Sequence, residues 1–511
     1  MQEDFSLVGD FTPTQLDTSG ISIVAPGLHG TGTWLAQRMP GESRAVTGEN
    51  TELDRAIAEA QAEDRHTLLI EAPTPVVTAS GGRGANDVAD DEILLQVPLA
   101  ADETAVVMYV DEAGIVSFHY PQAVTAGDAL PTRAIGSAKQ VKFRVPLRSG
   151  QTRTGAGDGR GWIAKAVSKV IKVIVVKLLA DPVGGFVANR VRAWEKNYRG
   201  HQGLHAGGWA GLLGAVPQQV QDLSPYVGKR SLLLVHGTTS TTAGAFAGLA
   251  QQTALTDRLD ALYGGRVLGF NHHTMGVPVA ENLRQFCDAL AAQPGDYEFD
   301  IVCHSRGGLV ARALDQMDDA TASQIFGAPW QRPAGVNAKI RRIVFVATPN
   351  AGTALAEPEK IPGFVDRLAN VVNTLPDAAL TIASGALISL VGAAAEVGLA
   401  RLPGLGDQVP ESPLQRLLQP AAGVDARYYA FSADYEPEGD LIGAIKDGVA
   451  DRIFGMTRND LVVPSAGVSR TPYFDLPADR HVAFGPDRHV HHSAFFKQPE
   501  MARIADWLAA P

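Results

Sequence analysis

Cysteine is nearly absent: Cys287 and Cys303 are the only two in 511 residues. Two cannot build a disulfide framework, and nothing near them has zinc-ligand spacing. Positive charge is in deficit, with 44 Lys and Arg against 55 Asp and Glu and a formal net charge of −11. That field opposes phosphate, which excludes nucleic acid as the main partner. No P-loop, dinucleotide fingerprint or metal-ligand cluster occurs, so neither a cofactor nor a metal is expected. The opening stretch MQEDFSLVGDFTPTQL lacks the basic region and apolar run of a secretory signal, so the expected compartment is cytoplasmic. Uninterrupted apolar runs are also scarce. The uncharged stretch 378–395 is dominated by Ala, Gly, Ser and Thr between Asp377 and Glu396, which reads as buried or lid helices rather than a membrane span.

What is present fits a globular chain, with 45% hydrophobic and 19% charged residues. Residues 1–148 read as a small all-β domain, a sandwich or barrel. Short apolar runs at 21–25, 67–70, 93–97, 105–110 and 140–145 are bounded by Gly, Pro, Asp or Ser. The segment AVVMYVDEAGIVSFHYP reads as a hairpin, and the Gly-rich PGLHGTGTW at 26–34 as a turn after a strand. Residues 149–229 read as connection. A Gly-rich linker is followed by a helix at 162–182 with Lys165, Lys169 and Lys172 on one stripe, and a second Gly-rich joint lies at 203–214. The lysine stripe also admits weak contact with a membrane surface.

From residue 230 strands and helices alternate, the pattern of a mostly parallel α/β sheet. LLLV and IVFVA are wholly apolar, as a sheet covered on both faces requires. Within this region DIVCHSRGG, ending at Gly308, is a strand running into a helix through a serine flanked by small residues. That is a nucleophile elbow presenting Ser305, with Cys303 in the place of the first glycine of G-x-S-x-G. Upstream, LLLVHGTT ends a strand in a His-Gly turn whose backbone can serve an oxyanion hole. The expected donors are the N–H groups of Thr238 and Arg306, with His236 stabilising the turn. The acid is expected at Asp460, in RNDLVVPSAG, with Asp434 as the competitor. The base is one of His489, His491 and His492, for an imidazole on a loop must reach both serine and carboxylate. His272 and His273 read as satisfied loop histidines, with a place at the active-site rim as the alternative.

These motifs resemble the α/β-hydrolase superfamily, in its bacterial lipase/esterase-like and GPI-inositol-deacylase-like branch, over residues 231–511. The matching residues are His236-Gly237-Thr238, His304-Ser305-Arg306-Gly307-Gly308, Thr348-Pro349-Asn350-Ala351-Gly352-Thr353 and Asn459-Asp460-Leu461-Val462-Val463-Pro464. His492, with Phe495 and Phe496 three and four residues on, matches the family's terminal histidine and so is favoured as base. The resemblance implies an α/β-hydrolase fold over 230–511, with a cap insertion at about 354–422. It also implies a serine hydrolase that cleaves a small-molecule or lipid-like ester through Ser305, Asp460 and His492. Two other readings stand beside it: a catalytically silent hydrolase-fold binding or scaffold protein, and an amidase or acyltransferase using the same triad. Oligomeric state is not read from the sequence.

Overall fold

The computed structural model describes residues 1–36, 62–75, 88–89, 92–100, 103–110, 116–119, 121, 139–146, 169–177, 192–193, 195, 202–214, 218–316, 318–331, 333–356, 402–419, 423–436 and 457–510. These fall into two compact units, the first ending with the described residues at Lys177 and the second beginning at Arg192.

The first unit is all β among the described residues. Its strands are β1 (Gln2–Val8), β2 (Thr14–Leu16), β3 (Ile21–Val24), β4 (Leu28–Ala36), β5 (Ala62–Pro75), β6 (Glu92–Leu99), β7 (Glu103–Val110), β8 (Val116–His119), β9 (Lys139–Pro146) and β10 (Lys169–Lys177). One antiparallel sheet has the order β1-β4-β5-β10-β7-β8 and the other β2-β3-β6-β9. Phe5, Trp34, Ile70 and Val107 from the first sheet share a core with Ile21, Ile93, Leu95 and Phe143 from the second, as in a sandwich. The hairpin forms as expected, with Val110 opposite Val116.

Three expectations are corrected here. Residues 169–177 of the lysine-striped segment are not a helix: they form β10, hydrogen-bonded between β5 and β7. The stretch KVIKVIVVK is mostly β-branched, and Ile171, Val173 and Val175 enter the core with a period of two. That alternation outweighs the lysine spacing, and it carries the β unit past residue 148. Lys172 is ion-paired with Asp64. The linker at 149–161 and the rest of the expected helix lie outside the described residues. Secondly, the 26–34 segment is a turn only at its start. It becomes β4, where Gly32 is needed because a Cβ would press into the Phe5 ring, 2.7 Å from Cε2. Thirdly, 203–214 is not a joint but β11 (Gly203–Ala206) and a short helix, Gly208–Leu212.

The second unit is built on an eight-stranded mixed sheet. Besides β11 it contains β12 (Gln218–Gln219), β13 (Arg230–Val235), β14 (Val267–Asn271), β15 (Gly295–His304), β16 (Val336–Val346), β17 (Tyr428–Ala433) and β18 (His481–Phe484), in the order β12-β11-β14-β13-β15-β16-β17-β18. β11 pairs antiparallel with β12 and β14; from β14 to β18 every pairing is parallel. β14 and β17 are buried along their whole length, as cover on both faces demands. The covering helices include α1 (Thr253–Tyr263), α2 (Val279–Ala291), α3 (Gly307–Asp315), α4 (Asp319–Phe326) and α5 (Arg503–Ala509). This mixed sheet fits an α/β-hydrolase fold. The expected start at 230 is too late, since β11 and β12 form the sheet's antiparallel edge.

Of the expected cap, only 354–356 and 402–419 are described, the latter with short helices at Pro403–Gly406 and Pro413–Leu417. The uncharged run 378–395 lies outside the described residues. Among the described residues no helix is long and apolar enough to cross a membrane.

Candidate active site

Every chemistry-bearing motif sits at the carboxyl ends of the parallel strands, where open α/β sheets present their sites. Ser305 follows β15, between β13 and β16, with φ of 53°. This left-handed backbone is unusual for a non-glycine residue and marks a tight, strained turn. The Ser305 N–H donates to the Val346 carbonyl at 2.9 Å, tying the turn to β16. A Cβ on Gly307 would lie 2.6 Å from the His236 carbonyl oxygen, and one on Gly308 would overlap the Thr348 side chain. Both glycines thus let α3 start flush against β13 and β16. Cys303, two residues earlier on β15, is fully buried and donates to the Val344 carbonyl at 3.3 Å. Burial pushes its thiol well above the ordinary range.

The loop after β13 approaches the serine closely: a Cβ on Gly237 would lie 2.5 Å from Ser305 Cβ and 3.1 Å from its Oγ. His236 holds this loop. Its Nε2 accepts from the His272 N–H at 3.1 Å, so the ring proton is on Nδ1, which donates to the Gly237 carbonyl at 2.9 Å. In a trans peptide the N–H points opposite the C=O, so the Thr238 N–H faces away from the imidazole. The Thr238 hydroxyl accepts from Gln408 Nε2 at 3.2 Å. His272 is buried rather than at a rim, stacked on His236 with centroids 4.2 Å apart. Burial first, then the adjacent His236, keep it well below its ordinary pKa.

The 459–464 loop wraps its own backbone. Asp460 Oδ1 accepts from the N–H groups of Val462 and Val463 at 3.0 and 2.8 Å, and Asn459 Oδ1 accepts from Leu461 N–H at 2.9 Å. This leaves Asp460 Oδ2 for His492 Nδ1, at 2.8 Å. The pair is nearly buried, with side chains 2% and 5% exposed, where a charge-assisted bond is strong. The turn at 348–353 carries the loop: Thr353 Oγ1 donates to the Val462 carbonyl and Asn350 Nδ2 to that of Val468.

Of the three candidate histidines, His492 is the one bonded to Asp460. His489 Nδ1 contacts the Glu436 carbonyl at 2.7 Å, and His491 meets Ser493 and the edge of Tyr435. Asp434 pairs instead with Arg458 at 3.4 Å. His304 links His492 to the turn at Ser305. Its Nε2 donates to the His492 carbonyl at 2.8 Å, and the rings lie 4.9 Å apart. Burial, reinforced by His492, pushes His304 down to about 3, so it is neutral at physiological pH. Phe495 and Phe496 are buried, anchoring the segment after the histidine.

Sequence reasoning missed the side chain of Arg306, considered only for its backbone. It is wholly buried and donates to the Gly404 carbonyl, Asn282 Oδ1 and the Val277 carbonyl at 3.0, 2.9 and 3.1 Å. Burial lowers its pKa, opposed by Asp407 and Glu195. Arg312 on α3 is buried likewise, donating to the carbonyls of Asn350 and Leu418. The two arginines fasten the elbow helix to segment 402–418. Glu195 was missed altogether. An arginine beside a nucleophile was visible in the sequence; that it would point inward was not. Among the described residues no group of His, Cys, Asp and Glu could hold a metal ion.

Similar folds occur in solved structures at low identity. EstA from Clostridium botulinum is 14% identical, over 55% of this chain and 88% of that one, with a TM-score of 0.37. Lipase 1 from Pelosinus fermentans is 14% identical, over 55% and 99%, with a TM-score of 0.35. The carboxylesterase CesB from Bacillus subtilis is 12% identical, over 64% and 99%, with a TM-score of 0.25. No curated protein matches the chain. Residues 202–509 match the family described as "Domain of unknown function (DUF7379)", and the chain belongs to that family.

Proposed function

We propose that this protein is a serine hydrolase that cleaves carboxylic esters. One observation carries the reading: Asp460 holds His492 through Nδ1, while His304, the neighbour of Ser305, holds the carbonyl of the same histidine. Bonded to Asp460 at Nδ1, the neutral imidazole keeps its proton there and leaves Nε2 free as a base. Ser305 Oγ attacks the acyl carbonyl as His492 takes its proton. Asp460 stabilises the imidazolium that forms. The N–H groups of Thr238 and Arg306 bind the oxyanion of the tetrahedral intermediate. Its collapse expels the alcohol, protonated by His492, and water then cleaves the acyl-enzyme by the same route. The substrate is a small-molecule or lipid-like ester.

A fluorophosphonate probe tests the reading, together with turnover of short-chain 4-nitrophenyl esters. Labelling and turnover are expected for the wild type and should vanish in Ser305→Ala. A folded wild type that does neither is a silent scaffold, and the reading fails.

A further inference from the structure

Glu195 is 1% exposed, and nothing in the reaction above uses it. Its carboxylate is fully engaged. Oε1 accepts from the Thr274 N–H, the Thr274 hydroxyl and the Met275 N–H at 2.6, 2.7 and 3.0 Å, and Oε2 accepts from the Gly276 N–H at 3.0 Å. A buried carboxylate with four donors is a strong local organiser, since losing one partner strands the others without solvent. The loop it gathers follows β14 and reaches two parts of the site. The Thr274 hydroxyl spends its proton on Glu195, and its lone pair accepts from the Thr239 N–H at 2.9 Å. Thr239 is a non-glycine residue at φ 56°, buried, with its own hydroxyl on the Thr238 carbonyl at 2.8 Å. Such a backbone persists only when its surroundings hold it. On the loop's far side the Met275 carbonyl accepts from the Gly404 N–H at 3.0 Å and the Val277 carbonyl from Arg306. Packing is close enough that a Cβ on Gly276 would sit 2.8 Å from the Arg192 nitrogen.

We propose that Glu195 is a positioning residue for the oxyanion loop, acting through the Thr274 hydroxyl on the Thr239 N–H. This rests on the hydrolase reading. By orienting the Thr274 hydroxyl toward itself, the carboxylate makes that oxygen a one-way acceptor for Thr239. The Thr238–Thr239 peptide is thereby fixed at one end while His236 fixes the Gly237–Thr238 peptide at the other, with Gly237 against Ser305. Glu195 touches neither substrate nor serine. Its contribution is felt when charge develops on the acyl oxygen, so kcat and not KM carries the effect.

The experiment compares Glu195→Ala, Thr274→Val and Thr274→Ser in the full chain. Thermal unfolding confirms that each is folded. The readouts are kcat and KM for a 4-nitrophenyl ester, inhibition by a trifluoromethyl ketone, and hydrogen exchange of the 236–242 segment. Glu195→Ala and Thr274→Val should lower kcat about 10- to 100-fold, somewhat less than deleting an oxyanion donor outright, with KM within about twofold. Ketone affinity should fall by the same factor as kcat/KM, because the ketone adduct carries the oxyanion. Thr274→Ser, which keeps the hydroxyl, should recover most of what Thr274→Val loses. Exchange at 236–242 should quicken in the first two variants and not in the third. Folded Glu195→Ala and Thr274→Val with wild-type kcat, or a loss that Thr274→Ser shares equally, would overturn the proposal. Should the wild type resist fluorophosphonate, the hydrolase reading has failed, and unchanged exchange in Glu195→Ala would then overturn the strut by itself.

Discussion

Replacing Asp460 by asparagine separates orientation of the base from shape of the site. Oδ1 accepts from two backbone N–H groups and Oδ2 meets His492 Nδ1. An asparagine can keep its carbonyl oxygen on the two N–H donors or turn its NH2 toward them. The second choice leaves two buried donors unsatisfied, at about 1–3 kcal/mol each, so the oxygen stays. The NH2 then faces His492 Nδ1 and forces that nitrogen to accept, which moves the ring proton to Nε2. A base protonated on the side of the serine cannot take its proton, and kcat should fall by about 10³- to 10⁴-fold. Stability should drop by only about 1–2 kcal/mol, the charge-assisted share of the lost bond. The assay is kcat for a 4-nitrophenyl ester at neutral pH, with unfolding in urea alongside. Asp434→Asn, whose carboxylate pairs with Arg458, should stay within about threefold of wild type by contrast. An Asp460→Asn protein that keeps a tenth or more of wild-type kcat would refute the argument.

Acid should destabilise the fold from about pH 6 downward. His304 and His66 are pushed down to about 3 and about 4, chiefly by burial, and His272 lies well below its ordinary value. Below about 6.5 the unfolded chain binds more protons than the folded one, so stability falls as pH falls. Each group adds a slope approaching 1.4 kcal/mol per pH unit, at most, until its folded value is reached. Urea midpoints that do not move between pH 7 and pH 5 would contradict this. Gly308→Ala drives a Cβ into the fully buried Thr348 and should cost about 1–3 kcal/mol. Adding Thr348→Ala should return part of that loss in thermal unfolding. Lys172→Ala should leave recovery with anionic liposomes unchanged, since Lys172 is paired with Asp64 on a strand rather than displayed on a helix. A clear loss in flotation would restore the membrane-surface idea.

The elbow was legible because its constraint is local. A serine at left-handed φ between an apolar strand and Gly307-Gly308 writes itself into consecutive residues. The 459–464 loop was legible for the same reason, its two side chains capping the backbone immediately after them. That His492, rather than His489 or His491, meets Asp460 needed the register of Phe495 and Phe496, which matter because burial pins the segment behind the histidine. The misreadings share another cause. In KVIKVIVVK the lysines follow one period and the core residues another, and only the neighbouring strands β5 and β7 decide between them. Gly203–Ala206 looked like a joint because glycine suits a flexible connection and equally the start of a strand at a left-handed φ, as at Gly203 with 112°. Glu195 and the Arg306 side chain could not be seen, since their partners lie from 24 to 98 residues away.

The scarcity of cysteine acquires a use once Cys303 is placed. Its sulfur lies two residues before Ser305, on a strand flanked by β13 and β16, with no exposure and a thiol held protonated by burial. A thiol reagent can reach it only when β15 leaves the sheet, because the thiolate is the reactive form. The rate of its modification under native conditions therefore clocks the opening of the strand that carries Ser305. Cys287 on α2, also buried, gives the same reading for a helix on the sheet's surface. Two native thiols thus form a stopwatch with two hands. One follows the element that carries Ser305 and the other an element that covers it, with no label added to the protein.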